Sequence, residues 1–195
     1  MAVGKNNITK SVLNDKGTLG MYLVQEKENP NMTYMFEVYE DEKSYQEHIK
    51  SEQYKEFLRQ SPTILTNHKK KIQVMPEYMG DKKFVQTRNT RVNYVTVDVK
   101  EGFNDAFREI VLDEMKQSIK KEEGVYVIYA VTAKENPDKW YFFEVYENEK
   151  AYQKHRKTAH FKKYIEQTEN IIENKEFINI EGVKLLNKGN LNYVK

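Results

Sequence analysis

Between residues 93 and 183 the chain switches repeatedly between two hydrophobic periods. Asn93, Val95, Val97 and Val99 alternate with Tyr94, Thr96 and Asp98, the period of two that marks a strand. Glu101-Gly102 closes it. Phe103, Phe107, Val111, Met115 and Ile119 then recur every fourth residue, with Ile110 widening the stripe, which predicts an amphipathic helix. Gly124 is placed to end that helix in the left-handed conformation glycine tolerates. A second strand is expected from about Val125 to Thr132, a turn at Asn136-Pro137-Asp138, and a third strand from Trp140 to Glu147. Asn148 can cap the next helix, with Glu149 in its first turn. That helix carries Tyr152, His155 and Ala159 on one side, then Phe161, Tyr164 and Ile165. A last strand is expected near Phe177 to Val183.

The order β-α-β-β-α-β is the ferredoxin-like arrangement, an α+β fold. A sheet with one wet face should alternate apolar with polar residues. The third strand does not: Tyr141, Phe143 and Val145 point one way, while Trp140, Phe142 and Tyr146 point the other with Glu144 among them. Both faces must be covered, one by helices and the other by a second sheet.

The rest of the chain supplies that second sheet. Residues 37–60 read EVYEDEKSYQEHIKSEQYKEFLRQ and residues 144–167 read EVYENEKAYQKHRKTAHFKKYIEQ, with 12 of 24 positions identical at an offset of 144 − 37 = 107. Lys27-Glu28-Asn29-Pro30 returns as Lys134-Glu135-Asn136-Pro137, Gly17 as Gly124, and Asn67 as Asn174. The chain therefore holds two copies of one unit: an incomplete first repeat over 1–83, a linker at 84–91 and a complete second repeat over 92–195. Under the offset Met1 falls opposite Arg108 in mid-helix, so the first repeat keeps about two turns of its first helix and has no counterpart of the strand Val92 to Val99. That strand is internal in a ferredoxin-like sheet, so its absence would leave unpaired backbone beside it; either the chain is a truncated version of a longer one or something else fills the gap. The expected assembly is an intrachain pseudo-dimer with facing sheets, and the second repeat is the better place for activity.

Composition narrows the chemistry. With 32 Lys+Arg against 30 Asp+Glu the net charge is +2, too small a field to draw nucleic acid or anionic lipid. The absence of Cys removes disulfides, thiolate catalysis and Fe–S clusters. There is no apolar run of membrane-spanning length and no signal-type N-terminus, so a cytoplasmic location without a membrane partner is expected. No Gly-rich phosphate loop or nucleophile elbow is present.

A strand ending in Glu144-x-Tyr146, the acidic turn Glu147-Asn148-Glu149, and a helix with His155 five residues before His160-Phe161 together resemble the antibiotic-biosynthesis monooxygenase (ABM) family. The likeness spans roughly Val92 to Val183, with a partial second match over Gly17 to Met79. The chain departs from the family where Tyr146 stands for the usual Trp and where Thr158-Ala159 stands for a frequent Ser-Pro. The resemblance implies a dimeric α/β-barrel fold. It also implies one of three functions: a cofactor-independent monooxygenase acting on a small phenolic or quinol compound, a non-catalytic binding or stress-associated barrel, or a haem-binding or haem-degrading protein. The partners implied are a small aromatic molecule and, for an enzyme, molecular oxygen; self-association is compatible.

His155, repeated as His48, is the leading candidate for a general base, since imidazole can take a phenol proton near neutral pH. A structural histidine at a helix bend is the competing reading. Glu144 and Tyr146, repeated as Glu37 and Tyr39, join it as candidate catalytic groups, Glu144 either tuning His155 or making an ion pair or hydrogen bond. Trp140, Phe142, Tyr126, His160 and Phe161 are candidates to bind a planar substrate, with core packing as the alternative for most. No metal is expected, because His155 and His160 lie five apart and a continuous helix would put them on different sides. Haem-degrading relatives place an Asn near Val95, a Trp at His155 and an axial His near Ile165. None of these matches, although Asn93 lies two residues from Val95 on the same face.

Overall fold

A computed structural model describes residues 2–195; Met1, which the repeat offset sets opposite Arg108, lies outside them. The first repeat contributes α1 (Ala2–Asn14), β1 (Thr18–Glu26), β2 (Thr33–Tyr39), α2 (Glu42–His48), α3 (Glu52–Ile64) and β3 (Val74–Asp81). The second contributes β4 (Arg91–Val99), α4 (Asn104–Lys121), β5 (Val125–Ala133), β6 (Asn136–Tyr146), α5 (Glu149–His155), α6 (Ala159–Thr168), β7 (Ile172–Ile178), β8 (Ile180–Asn187) and β9 (Asn192–Val194). Among the described residues no helix is long and apolar enough to cross a membrane.

Two antiparallel sheets face each other, one ordered β2-β1-β8 and the other β7-β4-β6-β5-β3-β9. Each repeat gives a strand to its neighbour: β3 pairs with β5, and β8, at the equivalent place in the second repeat, pairs with β1. Neither sheet is built from one repeat alone. Between them lies an aromatic layer in which Phe36 stacks on Phe143 at 4.3 Å and Tyr22 packs on Phe143 at 5.0 Å. Tyr22 and Tyr129, equivalent under the 107 offset, join hydroxyls at 2.9 Å on the pseudo-twofold. The alternation in β6 places Tyr141, Phe143 and Val145 against this layer, and Trp140, Phe142 and Tyr146 beneath the helices.

On α4 the predicted stripe buries Phe107, Val111 and Met115, but Phe103 is exposed because it precedes the first helical turn. Gly124 does not end α4 in a left-handed conformation; positive φ occurs at Gly102 and Gly189 among the glycines. Its reason is close approach. A Cβ on Gly124 would sit 2.6 Å from Ala151 Cβ on α5, and one on Gly17 would collide with Ser44, the equivalent residue on α2. The single helix expected after Asn148 is two helices. Asn148 caps α5 through Ala151 N at 2.9 Å, and Thr158 caps α6 after a break at Arg156 and Lys157. The last strand is longer than expected and splits at Asn179 into β7 in the larger sheet and β8 in the smaller.

The two repeats differ at the edge of their sheets. In the second repeat β4 is flanked by β6 and β7. In the first, β2 is a sheet edge, and residues 65–71, equivalent to β7, form no strand. Among the described residues no strand lies beyond β2 for that segment to pair with.

Candidate functional site

Strand register decides what meets beneath the helices of the second repeat. Asn93 lies opposite Glu144, and Val95 lies between Phe142 and Phe177. Glu144 Oε2 accepts from the Tyr146 hydroxyl at 2.9 Å and from Asn93 Nδ2 at 3.0 Å. Arg91 Nε holds Asn93 Oδ1 at 2.9 Å, and its guanidinium lies over Tyr152. The other oxygen of Glu144 has no hydrogen-bond partner among the described residues, and the residue is half-buried. Lys175 stands at the rim over the Tyr164 ring at 5.5 Å; crowding by the protein pulls its pKa down against the attraction of Glu144. Burial first, then Glu144, drives the Tyr146 pKa far up, so this phenol stays protonated and donates. The expectation of a hydrogen bond at Glu144 is met; its partners are Tyr146 and Asn93 rather than a Lys or Arg.

Behind Tyr146 lies a second, deeper cluster. His155 Nδ1 is 3.0 Å from Glu122 Oε1, and His160 Nε2 is 2.6 Å from the same oxygen. Glu114 Oε1 accepts from Ser118 Oγ at 2.6 Å and lies 3.8 Å from His155 Nε2. All five residues are buried. Burial raises the Glu114 pKa to about 7, against the pull of His155. At His155 burial acts downward, but the hydrogen bond to Glu122 and the charges of Glu114 and Glu144 outweigh it and raise the pKa. At Glu122 burial acts upward and the two imidazoles outweigh it, lowering the pKa. His155 is thus enclosed by carboxylates that favour its protonated form, with Phe161 packed on its ring at 4.7 Å and Tyr146 at 5.3 Å. This is not the setting of a neutral imidazole awaiting a substrate proton.

Several candidates change place. Trp140 is fully buried, packed edge-on to Phe107 at 5.1 Å, with Nε1 donating to Asn104 at 2.8 Å. Phe142 lies in the same core, so both are packing residues. Tyr126 is on the opposite face of the sheet, stacked on Phe84 at 5.3 Å, and cannot share a pocket with them. His160 is buried, not a rim residue, because the break before α6 turns it back toward His155. The same break overturns the argument against a metal, which assumed a continuous helix: Glu114, His155 and His160 each offer a ligand atom, all within 4.8 Å of one another. Ile165, where an axial haem ligand would stand, is 42% exposed and apolar. Two hollows of about 320 and 310 Å³ flank the 84–91 connection and touch neither His155 nor Glu144.

Glu114 and Glu122 were not legible as site residues from the apolar stripe alone. The signal was present: Phe107, Val111, Glu114, Ser118 and Glu122 are spaced 4, 3, 4 and 4 apart, so the acids continue the buried face. The first repeat carries the same scaffold. Asn7, Ser11, Asp15, His48 and Gln53 occupy the places of Glu114, Ser118, Glu122, His155 and His160. There Asp15 accepts from Gln53 Nε2 at 2.9 Å and faces His48 Nδ1 at 3.3 Å, while His48 Nε2 is buried without a partner. Tyr39 donates to Glu37 at 2.9 Å as Tyr146 does to Glu144.

A family model described as antibiotic biosynthesis monooxygenase matches residues 5–60 and 90–167, one segment in each repeat. The chain belongs to the antibiotic biosynthesis monooxygenase family. A structure from Fusobacterium nucleatum, provisionally described as a monooxygenase, superposes with a TM-score of 0.93 at 29% identity, covering 100% of this chain and 89% of its own. One from Lactobacillus acidophilus, described in the same way, gives a TM-score of 0.92 at 27% identity over 98% of this chain and 90% of its own. This ABM chain is therefore similar along its length to other chains that carry the fold in tandem. None of the curated proteins compared matches it.

Proposed function

We propose that the second repeat oxygenates a small phenolic or quinol compound in the crevice between the helix-facing side of β4, β6 and β7 and the α5–α6 pair, with Glu144 taking the hydroxyl proton. The observation that carries this reading is the setting of Glu144. One oxygen is fixed by Tyr146 and Asn93, and the other is free at a half-buried position. A general base needs that combination of fixed orientation and an available lone pair. Exposed Phe177 and the Tyr164 ring offer apolar faces for an aromatic substrate, and the Lys175 ammonium offers a cation for the phenolate. Deprotonation makes the ring electron-rich enough to pass an electron to oxygen. For an anthrone-type substrate, joining the substrate radical to superoxide gives a carbon-bound peroxide anion, which takes back the proton held by Glu144 to become a hydroperoxide. Loss of water from it leaves a new carbonyl, one oxygen atom in the product and the other in water. His155 then supports the helix junction behind Tyr146 and does not touch substrate.

A second reading, a barrel that binds without turnover, is favoured by the packing of Tyr146 and Phe161 around His155, which leaves that histidine enclosed. Oxygen-electrode screening of the purified chain against quinols and anthrones separates the two, with haem titration alongside. Substrate-dependent oxygen uptake supports the enzyme; tight binding of the same compounds without uptake supports the silent barrel.

A further inference from the structure

We propose that Glu114, His155 and His160 form a binding site for one divalent transition-metal ion of the zinc or cobalt kind, with Glu122 beside the two imidazoles, holding α4 to the α5–α6 junction. The inference goes beyond the oxygenation reading and does not depend on it. Its first support is convergence. Ligand atoms of Glu114, His155 and His160 lie within 4.8 Å of one another, and Glu122 Oε1 lies 3.0 Å and 2.6 Å from the two imidazoles. A tetrahedral ion bonded at about 2.1 Å to nitrogen and oxygen needs ligands roughly 3.4 Å apart. The three groups would have to close from within 4.8 Å to that spacing. Two imidazoles with a carboxylate suit zinc, cobalt, nickel or iron better than magnesium or calcium, which prefer oxygen alone.

The second support is the other repeat. On the same backbone frame, with Ser51 capping α3 as Thr158 caps α6, the equivalent positions hold Asn7, Asp15, His48 and Gln53. Two amides stand where the second repeat has an additional carboxylate and an additional imidazole. In the first network the Gln53 amide donates to both oxygens of Asp15 at 3.0 and 2.9 Å, while His48 Nε2 has no partner among the described residues. The frame therefore does not need ligating residues at these places to fold. The second repeat instead buries four ionisable groups. A divalent cation at Glu114, His155 and His160 would add positive charge among two buried carboxylates and occupy both imidazoles at once.

The test uses the full chain without a tag, stripped with EDTA and titrated with Co2+, whose visible absorption reports nitrogen and oxygen coordination. One equivalent should bind, be displaced by Zn2+, and weaken as pH falls, because the ligands must lose protons. His160→Gln and Glu114→Asn install the first repeat's own residues, so both variants should fold. Each should weaken Co2+ binding tenfold or more, and together they should abolish it. Zn2+ should raise the melting temperature of the parent and not of the double variant. His68→Ala, at an exposed site, should change nothing. The proposal is overturned by uptake below one equivalent, by binding that survives both substitutions, or by binding lost with His68. In each of those cases the cluster is a hydrogen-bonded network like that of the first repeat. Glu144→Gln probes the oxygenation reading separately, since that residue lies outside the proposed ligand set.

Discussion

The two repeats start from the same helix-turn scaffold and end in different surroundings. Both keep a Glu-x-Tyr pair at the end of a strand, and both set a histidine against an acid at the end of the preceding helix. In the second, β4 and β7 extend the sheet past Glu144 and bring Asn93, Lys175 and Phe177 to its side. In the first, β2 is an edge, and Glu37 has no strand beyond it. The difference separates what the sequence repeat preserves from what a site requires. The repeated helix-turn signature fixes capping and packing, whereas the surroundings of Glu144 depend on β4 and β7, which have no equivalents among the described residues of the first repeat.

The sharpest way to test that division is in the core. Trp140→Ala should destabilise the protein by about 3–5 kcal/mol, because the indole is fully buried against Phe107. The equivalent Thr33→Ala, on the edge strand, should change stability by about 0.5 kcal/mol or less. Urea melts of the pair measure both. Comparable losses would mean that the first repeat has a core of the same quality, against the account of it as a half-sheet.

Where the repeats agree, substitutions should agree as well. Gly17→Ala and Gly124→Ala should each cost about 1–3 kcal/mol by overpacking, since each adds a Cβ into the following helix at Ser44 or Ala151. If the glycines were instead helix terminators, a positive-φ requirement would be at issue, and Gly→Asn would be tolerated better than Gly→Ala.

A smaller effect probes the exchanged strand β3. Burial would raise the Glu77 pKa, but Arg108 and Lys195 outweigh it and hold the carboxyl below its usual range. A depressed folded pKa stabilises above the unfolded value of about 4.3, and the contribution fades as pH falls through the folded pKa. Glu77→Gln should therefore lower stability by about 1–2 kcal/mol at pH 7, and the gap between variant and parent should close toward pH 3.

Much of the fold was legible because it rests on local rules. The periods of Val95 to Val99 and of Phe107 to Met115, the cap at Asn148, and the two-faced third strand each point to one element or one buried face. The offset of 107 then gave the pseudo-dimer. The strand exchange was not legible, since pairing β3 with β5 or with β1 satisfies the same alternation. Nor was the break after His155. Thr158 is a good cap, but Arg156 and Lys157 would also fit inside a helix, and reading through them separated His155 from His160. Reading one apolar stripe on α4 hid Glu114 and Glu122, which lie on the same buried face and carry half of the deeper cluster. Trp140 and Phe142 were drawn toward a pocket by their aromatic character, when their place under α4 makes them core.

The central claim is that the second repeat works and the first supports it. The direct measurement is substrate-dependent oxygen uptake, against whichever quinol or anthrone the parent consumes, in Glu144→Gln and Glu37→Gln side by side. The account predicts a loss of roughly a hundredfold or more in the first, the usual contribution of a general base, and a change within about twofold in the second, with both variants melting like the parent. Equal losses, or a larger loss from Glu37→Gln, would contradict it and move the chemistry to the repeat with the open edge.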